Sequence, residues 1–207
     1  MAESSSETKR KIIESAKKEF LEKGFVNASL RQIAANAGLT TGAMYRHFKD
    51  KDALFCALVD NAIEVTTKVV MTADVMTHMK DKDPMGKEHE DKENQILRDF
   101  IDFIYSDFDA FILLVSKASG STHEHFVEEI SDLYTKNCME TLNWLYEQKF
   151  VKKQLDELTI HVIASSLINA FREMITHKVP KNEALSFVAN IRDFFHNGTM
   201  SIMNPSD

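Results

Sequence analysis

Cysteine is almost missing from this 207-residue chain: Cys56 and Cys138 are the only two, and they lie far apart. That excludes a disulfide framework and matches no metal or redox spacing, and it suits a reducing cytoplasm. Proline occurs three times and glycine six, too few interruptions for a strand-and-turn architecture, so long helices are expected. Long apolar runs are missing as well. The longest, Phe108 to Val115, is broken by Asp109 and falls well short of a bilayer span. The first residues, Met1-Ala2-Glu3-Ser4-Ser5-Ser6, are polar with no apolar stretch behind them, so neither secretion nor a membrane is expected. No serine–histidine–acid or paired-carboxylate arrangement is apparent. The expectation is a cytoplasmic protein that is not an enzyme and needs no cofactor.

The net charge of −7 argues against nucleic acid only on average. Between Met1 and Lys51 there are ten Lys/Arg against six Asp/Glu, and the remainder has 15 against 26. A mildly basic end on an acidic body suits contact with DNA through that end alone.

Hydrophobic spacing resolves the chain into helices. Glu7 to Lys23 carries Ile12, Ile13, Ala16 and Phe20 on one face, and Gly24 ends it. Ser29 and Gln32 form a Ser-x-x-Gln capping box ahead of Leu30, Ile33, Ala34 and Ala37, a buried stripe at i, i+3, i+4, i+7. Gly38-Leu39-Thr40 is a three-residue turn in which Gly38 takes the left-handed conformation and Thr40 caps the next helix, Thr41 to Phe48. A longer helix runs from Lys51 or Asp52 into the seventies. Asp74 to Asn94 reads as a helix end, a connector around Pro84 and Gly86, and a helix start. Ile96–Ser106, a segment capped by Asp107 and ending near Ala118, Thr122–Lys149, Asp156–His177 and Asn182–Met200 complete the set.

Residues 29–48 meet the demands of a helix–short turn–helix unit that lays its second helix in the major groove. With Met44 and Phe48 inward, the 100° step turns Gly42, Ala43 and Arg46 outward and leaves Tyr45 and His47 on the flanks. Small residues let backbone approach base edges, and the Ala43 methyl suits a thymine methyl. Tyr45 and His47 are spaced to reach phosphates on either side of the groove. Lys51, beside the backbone amides of a helix start, offers a phosphate grip.

These residues resemble the N-terminal domain of the TetR/AcrR family of transcriptional regulators. The likeness is carried by Thr8-Lys-Arg-Lys-Ile-Ile-Glu-Ser-Ala16, Phe20-x-x-x-Gly24-Phe25, Ser29-Leu-Arg-Gln-Ile-Ala34 and Ala37-Gly38. Gly42-Ala-Met-Tyr-Arg-His-Phe48 and Lys49-x-Lys51-x-x-Leu54 continue it, so that it covers roughly residues 8–60. The resemblance implies an all-α homodimer of about nine helices. A three-helix DNA-binding domain (1–51) would precede a larger ligand-binding and dimerisation domain (52–207). It implies a repressor that binds double-stranded, palindromic operator DNA and is released by a small molecule. The family's DNA contacts fall here on Ser29, Arg31, Thr40, Thr41, Gly42, Ala43, Tyr45, His47 and Lys51, with Arg46 added from its outward placement. Thr41, Gly42 and Ala43 have little hydrogen-bonding capacity, so specificity leans on Arg31, Arg46 and DNA shape.

Beyond the first domain the reading is physical. Two helices have apolar faces wider than one intrachain contact needs: one carries Ile160, Ile163, Leu167 and Phe171, the other Phe187, Val188, Ile191 and Phe195. Packing the pair against its two-fold mate as a four-helix bundle would bury the surplus. For the effector pocket, Phe100, Phe103, Phe108, Phe111 and Tyr134 supply aromatic surface, and Met71, Met76 and Met139 supply adaptable packing, which suits an apolar or aromatic molecule. Asn137, Ser165 and Asn169 would orient a ligand or satisfy neighbouring backbone. His123-Glu124-His125 resembles a metal cluster, but adjacent helical positions diverge by 100°, so no metal is expected. A second reading keeps the DNA binding but replaces the small ligand with a protein partner or with oxidation at Cys138, and a third makes the chain a ligand- or redox-sensing protein whose helix-turn-helix no longer binds DNA.

Overall fold

The computed structural model describes residues 5–73 and 86–204, and every regular element among them is a helix. In chain order these are α1 (Ser5–Asn27), α2 (Leu30–Asn36), α3 (Thr41–Tyr45), α4 (Lys51–Ala73) and α5 (Lys87–Ser106). Then come α6 (Phe108–Ser116), α7 (Phe126–Glu147), α8 (Glu157–Thr176) and α9 (Lys181–Met203). No helix among the described residues is long and apolar enough to cross a membrane. Met76 and Pro84 lie outside the described residues.

The chain forms two compact units, Met1–Glu64 with Asp107–Phe126, and Val65–Ser106 with Val127–Asp207. Compactness thus groups the residues differently from a single cut at residue 51.

In the first unit α1 packs against α2 and α6. Its core holds Ile12, Phe20, Ile33, Leu54 and Leu113, all fully buried. The rings of Phe20, Phe25 and Phe55 meet at centroid distances of 5.2–6.0 Å, two of the three pairs edge to face. Such pairs add about 0.5–1.5 kcal/mol each beyond their buried area. Gly24 interrupts α1 with φ 72° and ψ 169°. The break turns the Phe25 N–H out of the helix to donate to Lys117 O at 2.8 Å.

In the second unit α9 packs against α8 and α5. Phe100 and Phe171 touch at 5.7 Å, Lys181 pairs with Asp102 at 2.9 Å, and Arg192 donates to Asn94 at 2.7 Å. Tyr105 donates its hydroxyl to Val179 O, and burial pushes that phenol up. Leu145, Val151 and Met203 form a cluster closed by Trp144, Leu155 and Met200.

Four helix starts differ from the sequence reading. Asp107 makes no side-chain cap; its carboxylate goes instead to Lys17 at 3.2 Å. Thr122 does not begin a helix, because its N–H and hydroxyl both donate to Asp52 at 2.9 Å, and α7 starts at Phe126. The capping box at Ser29 is only half formed. Ser29 Oγ accepts from Gln32 N at 3.3 Å, whereas the Gln32 amide donates to Asn36. Asp156, read as the first residue of a helix, is instead the cap before α8, taking both the N–H and the hydroxyl of Thr159.

Candidate nucleic-acid interface

The turn after α2 is a complete Schellman motif. Leu39 N donates to Ala34 O at 2.9 Å and Gly38 N to Ala35 O at 3.0 Å, with Gly38 at φ 72°. The chain reverses into Thr40, whose Oγ1 accepts the N–H of Ala43 at 3.2 Å and starts α3. Met44 and Phe48 are buried beneath, and the helix tightens after Tyr45 as His47 N reaches back only to Met44 O. A buried hydrogen bond from Ser15 Oγ to Ile33 O, 2.9 Å long, ties α2 to α1.

This framework leaves one face of α3 open. Gly42, Tyr45 and Arg46 are exposed, Tyr45 by 50%, while Thr41, Ala43 and His47 are half-buried. Ser29, Arg31 and Thr40 are exposed on the same helix-turn-helix. Arg31 and Arg46 have no carboxylate partner among the described residues, so both cations are available to an external anion. Nothing fills the space where a Gly42 side chain would stand.

Lys51 also has partners within its own chain. Its ammonium sits 3.0 Å from Val26 O and 3.4 Å from Ala28 O, and 4.7 Å from the Phe25 ring centroid. A cation on the carbonyls that end α1 is a helix C-cap by side chain, so Lys51 serves the fold itself. Lys9, in a basic run Lys9-Arg10-Lys11 that reads as a solvated helix end or a phosphate contact, lies over the Phe48 ring at 5.7 Å, beside the end of α3. One further residue escaped the sequence reading. Glu19, buried at 4% exposure, accepts from Ser29 N at 3.1 Å and from Lys23 at 2.8 Å. Burial pushes the Glu19 carboxyl up, but these hydrogen bonds outweigh it and hold the group below its ordinary value.

Residues 12–58 match the family model of bacterial regulatory proteins, tetR family. This helix-turn-helix segment is similar to that of the tetR family. The whole chain also has the TetR-type fold. NalD of Pseudomonas aeruginosa, the secondary repressor of the MexAB-OprM multidrug efflux pump, is similar at 16% identity and a TM-score of 0.64, over 94% of this chain and 98% of that one. PfmR, a TetR family transcriptional regulator of Thermus thermophilus, is similar at 18% identity and 0.58, over 89% and 92%. The fatty acid degradation regulator FadR of Bacillus halodurans follows at 17% and 0.56, over 90% and 96%.

The remaining sequence-derived residues fall as follows. Phe108 and Phe111 lie in the unit that carries the TetR helix-turn-helix. Met71, Phe100, Phe103, Tyr134, Asn137 and Asn169 lie in the other. Phe111 is buried core, and Met71 is 56% exposed. Asn137 donates to Val70 O at 2.6 Å, Ser165 to Val162 O, and Asn169 to Ser165 O. All three thus satisfy backbone carbonyls. The hydroxyl of Thr141, one turn after Asn137 on α7, is buried without a partner, a signal no periodicity reveals.

Among the proposed dimer residues, Ile160 and Val188 are 3% and 1% exposed inside their own chain and have no surface to give a partner. Ile163, Leu167, Phe171, Phe187, Ile191 and Phe195 remain half-exposed. Phe194, which the sequence places on the apolar face of its helix, is 72% exposed, and Leu158, Val162 and Ile202, outside the residues read as apolar faces, are exposed on the same two helices.

Proposed function

We propose that this TetR-type chain is a repressor that binds a palindromic operator as a homodimer and releases it on binding a small apolar or aromatic molecule. The observation that carries the DNA-binding reading is α3 itself. Two buried anchors, Met44 and Phe48, and two caps hold five helical residues whose outward face offers Gly42, Ala43, Tyr45 and Arg46. A helix that contributes so little core yet is fixed at both ends has its outer surface free for recognition. Ser29, Arg31, Thr40, Thr41 and His47 flank that face as phosphate and base-edge contacts. Lys51 donates to two carbonyls and keeps a third N–H for a phosphate.

The dimer reading is supported by the apolar surface left on α8 and α9, where Leu158, Val162, Phe194 and Ile202 are too exposed for a solitary chain to leave uncovered without cost. The effector reading is supported by α7, where Tyr134, Asn137 and the unpartnered Thr141 hydroxyl share one helical face. The division of labour is then residues 1–51 for DNA and 52–207 for effector and dimerisation. NalD and PfmR, the similar regulators above, carry names that fit this role.

The test is selection of bound duplexes from random DNA with purified protein, followed by titration of the best site. A palindrome bound by two chains supports the reading. No enriched site at moderate salt, with or without candidate effectors, overturns it in favour of a sensor that does not read DNA.

A further inference from the structure

Cys56 and Asp60 stand one turn apart on α4, and the 121–125 turn brings His123 against them, 67 residues from Cys56 in sequence. Cys56 Sγ lies 3.4 Å from His123 Nε2, and Nε2 lies 3.9 Å from Asp60 Oδ1. The three atoms all fall within 4.8 Å of one another. We propose that Cys56, Asp60 and His123 form a binding site for a divalent transition-metal ion of the zinc class.

The distances fit that ion. A tetrahedral zinc is held at about 2.3 Å by sulfur and about 2.0–2.2 Å by nitrogen or oxygen, which sets ligand atoms roughly 3.4–3.6 Å apart. Closing the three onto one ion needs only small side-chain adjustments, and none of the three residues is buried. The donor set is also selective. Thiolate and imidazole suit zinc, cobalt or copper, whereas magnesium and calcium take oxygen. Three protein ligands leave a fourth position for water. This arrangement does not depend on the His123-Glu124-His125 run, since Glu124 turns away to accept from Gly120 N at 2.9 Å.

Asp52 supplies the support behind the ligands. It accepts the N–H and hydroxyl of Thr122, which fixes the turn that carries His123, and its Oδ2 is 3.6 Å from Cys56 Sγ. Metal binding replaces the thiol proton of Cys56: the S–H bond breaks, the S–metal bond forms, and one proton goes to solvent. All three ligands belong to the unit that contains the helix-turn-helix, so the ion clamps α4 to the turn preceding α7 within that unit.

The experiment is titration of the full-length protein with cobalt(II), read by absorption. The expected result is one equivalent per chain, with a thiolate-to-cobalt charge-transfer band and the strong visible bands of four-coordinate cobalt. Cys56→Ser abolishes the charge-transfer band and lowers affinity more than the roughly 10–100-fold typical of losing an outer-shell partner. His123→Ala weakens binding comparably, and Cys138→Ser leaves band and affinity unchanged. A band that persists in Cys56→Ser, a band lost in Cys138→Ser, or no band at saturating cobalt overturns the site. Should a variant fail to fold by circular dichroism, the wild-type chain decides. Zinc slows iodoacetamide alkylation of Cys56 at least about tenfold if the thiolate is a ligand, since only the free thiolate reacts. Equal alkylation rates with and without zinc overturn the proposal.

Discussion

Glu19 supports the start of α2 from α1: its Oε1 accepts the N–H of Ser29, the N-cap residue of α2, at 3.1 Å. The same oxygen holds Lys23 at 2.8 Å, so one buried carboxylate joins the end of α1 to the start of the helix-turn-helix. Glu19→Ala leaves the Ser29 N–H and the Lys23 ammonium without their acceptor, and is expected to cost about 1–3 kcal/mol in urea unfolding. Glu19→Gln keeps an acceptor and loses less. Equal losses for the two variants would remove the hydrogen bond as the cause.

The Glu19 carboxyl is held below its ordinary value of 4.5, so folding favours its ionised form. The stabilisation is fully present above that value and is lost as pH falls below it, through the lower native pKa. Thermal midpoints of wild type and Glu19→Gln measured downward from neutral pH should converge in this acidic window. A gap that stays constant down to the acid transition would contradict the assignment.

Gly38 and Gly42 are four residues apart and predict opposite outcomes. Both have open space where a Cβ would stand, but only Gly38 has the left-handed φ of 72°. Gly38→Ala should therefore destabilise by about 1–2 kcal/mol through backbone strain alone. Gly42→Ala should stabilise by up to about 1 kcal/mol as a helical glycine replaced. If α3 enters the major groove, Gly42→Leu is well folded yet binds the selected operator roughly tenfold or more weakly. Unchanged affinity in that folded variant would rule out close backbone approach at Gly42.

Arg46 is exposed and without a carboxylate partner among the described residues. Arg46→Ala should leave the melting temperature unchanged while weakening operator binding. A drop that is uniform across sequences and reduces the salt slope by about 1 marks a phosphate contact, and relaxed preference at one base pair marks a base contact. A variant with neither effect excludes Arg46 from the interface.

Phe194, stacked edge to face on Phe195 at 5.4 Å, is the most exposed large apolar side chain described. Phe194→Glu should shift the protein from dimer to monomer in light scattering while preserving helical circular dichroism. A dimer that persists in Phe194→Glu would move the interface away from α9.

What could be read in the sequence follows a physical division. Contacts made within one turn or one short loop were legible: the Thr40 cap, the left-handed Gly38, and the inward Met44 and Phe48 depend on neighbours a few residues off. Side chains whose partners are distant in sequence were not. Asp107 looked like a cap because nothing local reveals Lys17, and Thr122 looked like a helix start because nothing local reveals Asp52. Lys51 looked like a free cation, yet two carbonyls more than twenty residues upstream hold it. Amphipathic stripes predicted α8 and α9 but could not separate the faces each buries in its own chain, at Ile160 and Val188, from those left exposed at Leu158 and Phe194.

The hydrogen bond from Phe25 N to Lys117 O, made possible by the break at Gly24, also bears on the order in which the protein is made. Its donor leaves the ribosome long before its acceptor, and the same is true of Lys17 and its partners Asp107 and Asp109. A nascent chain that has emerged only through α4 carries every residue of the helix-turn-helix but none of α6, against which α1 packs. The unit that holds the helix-turn-helix is thus completed only after α6 has been synthesised.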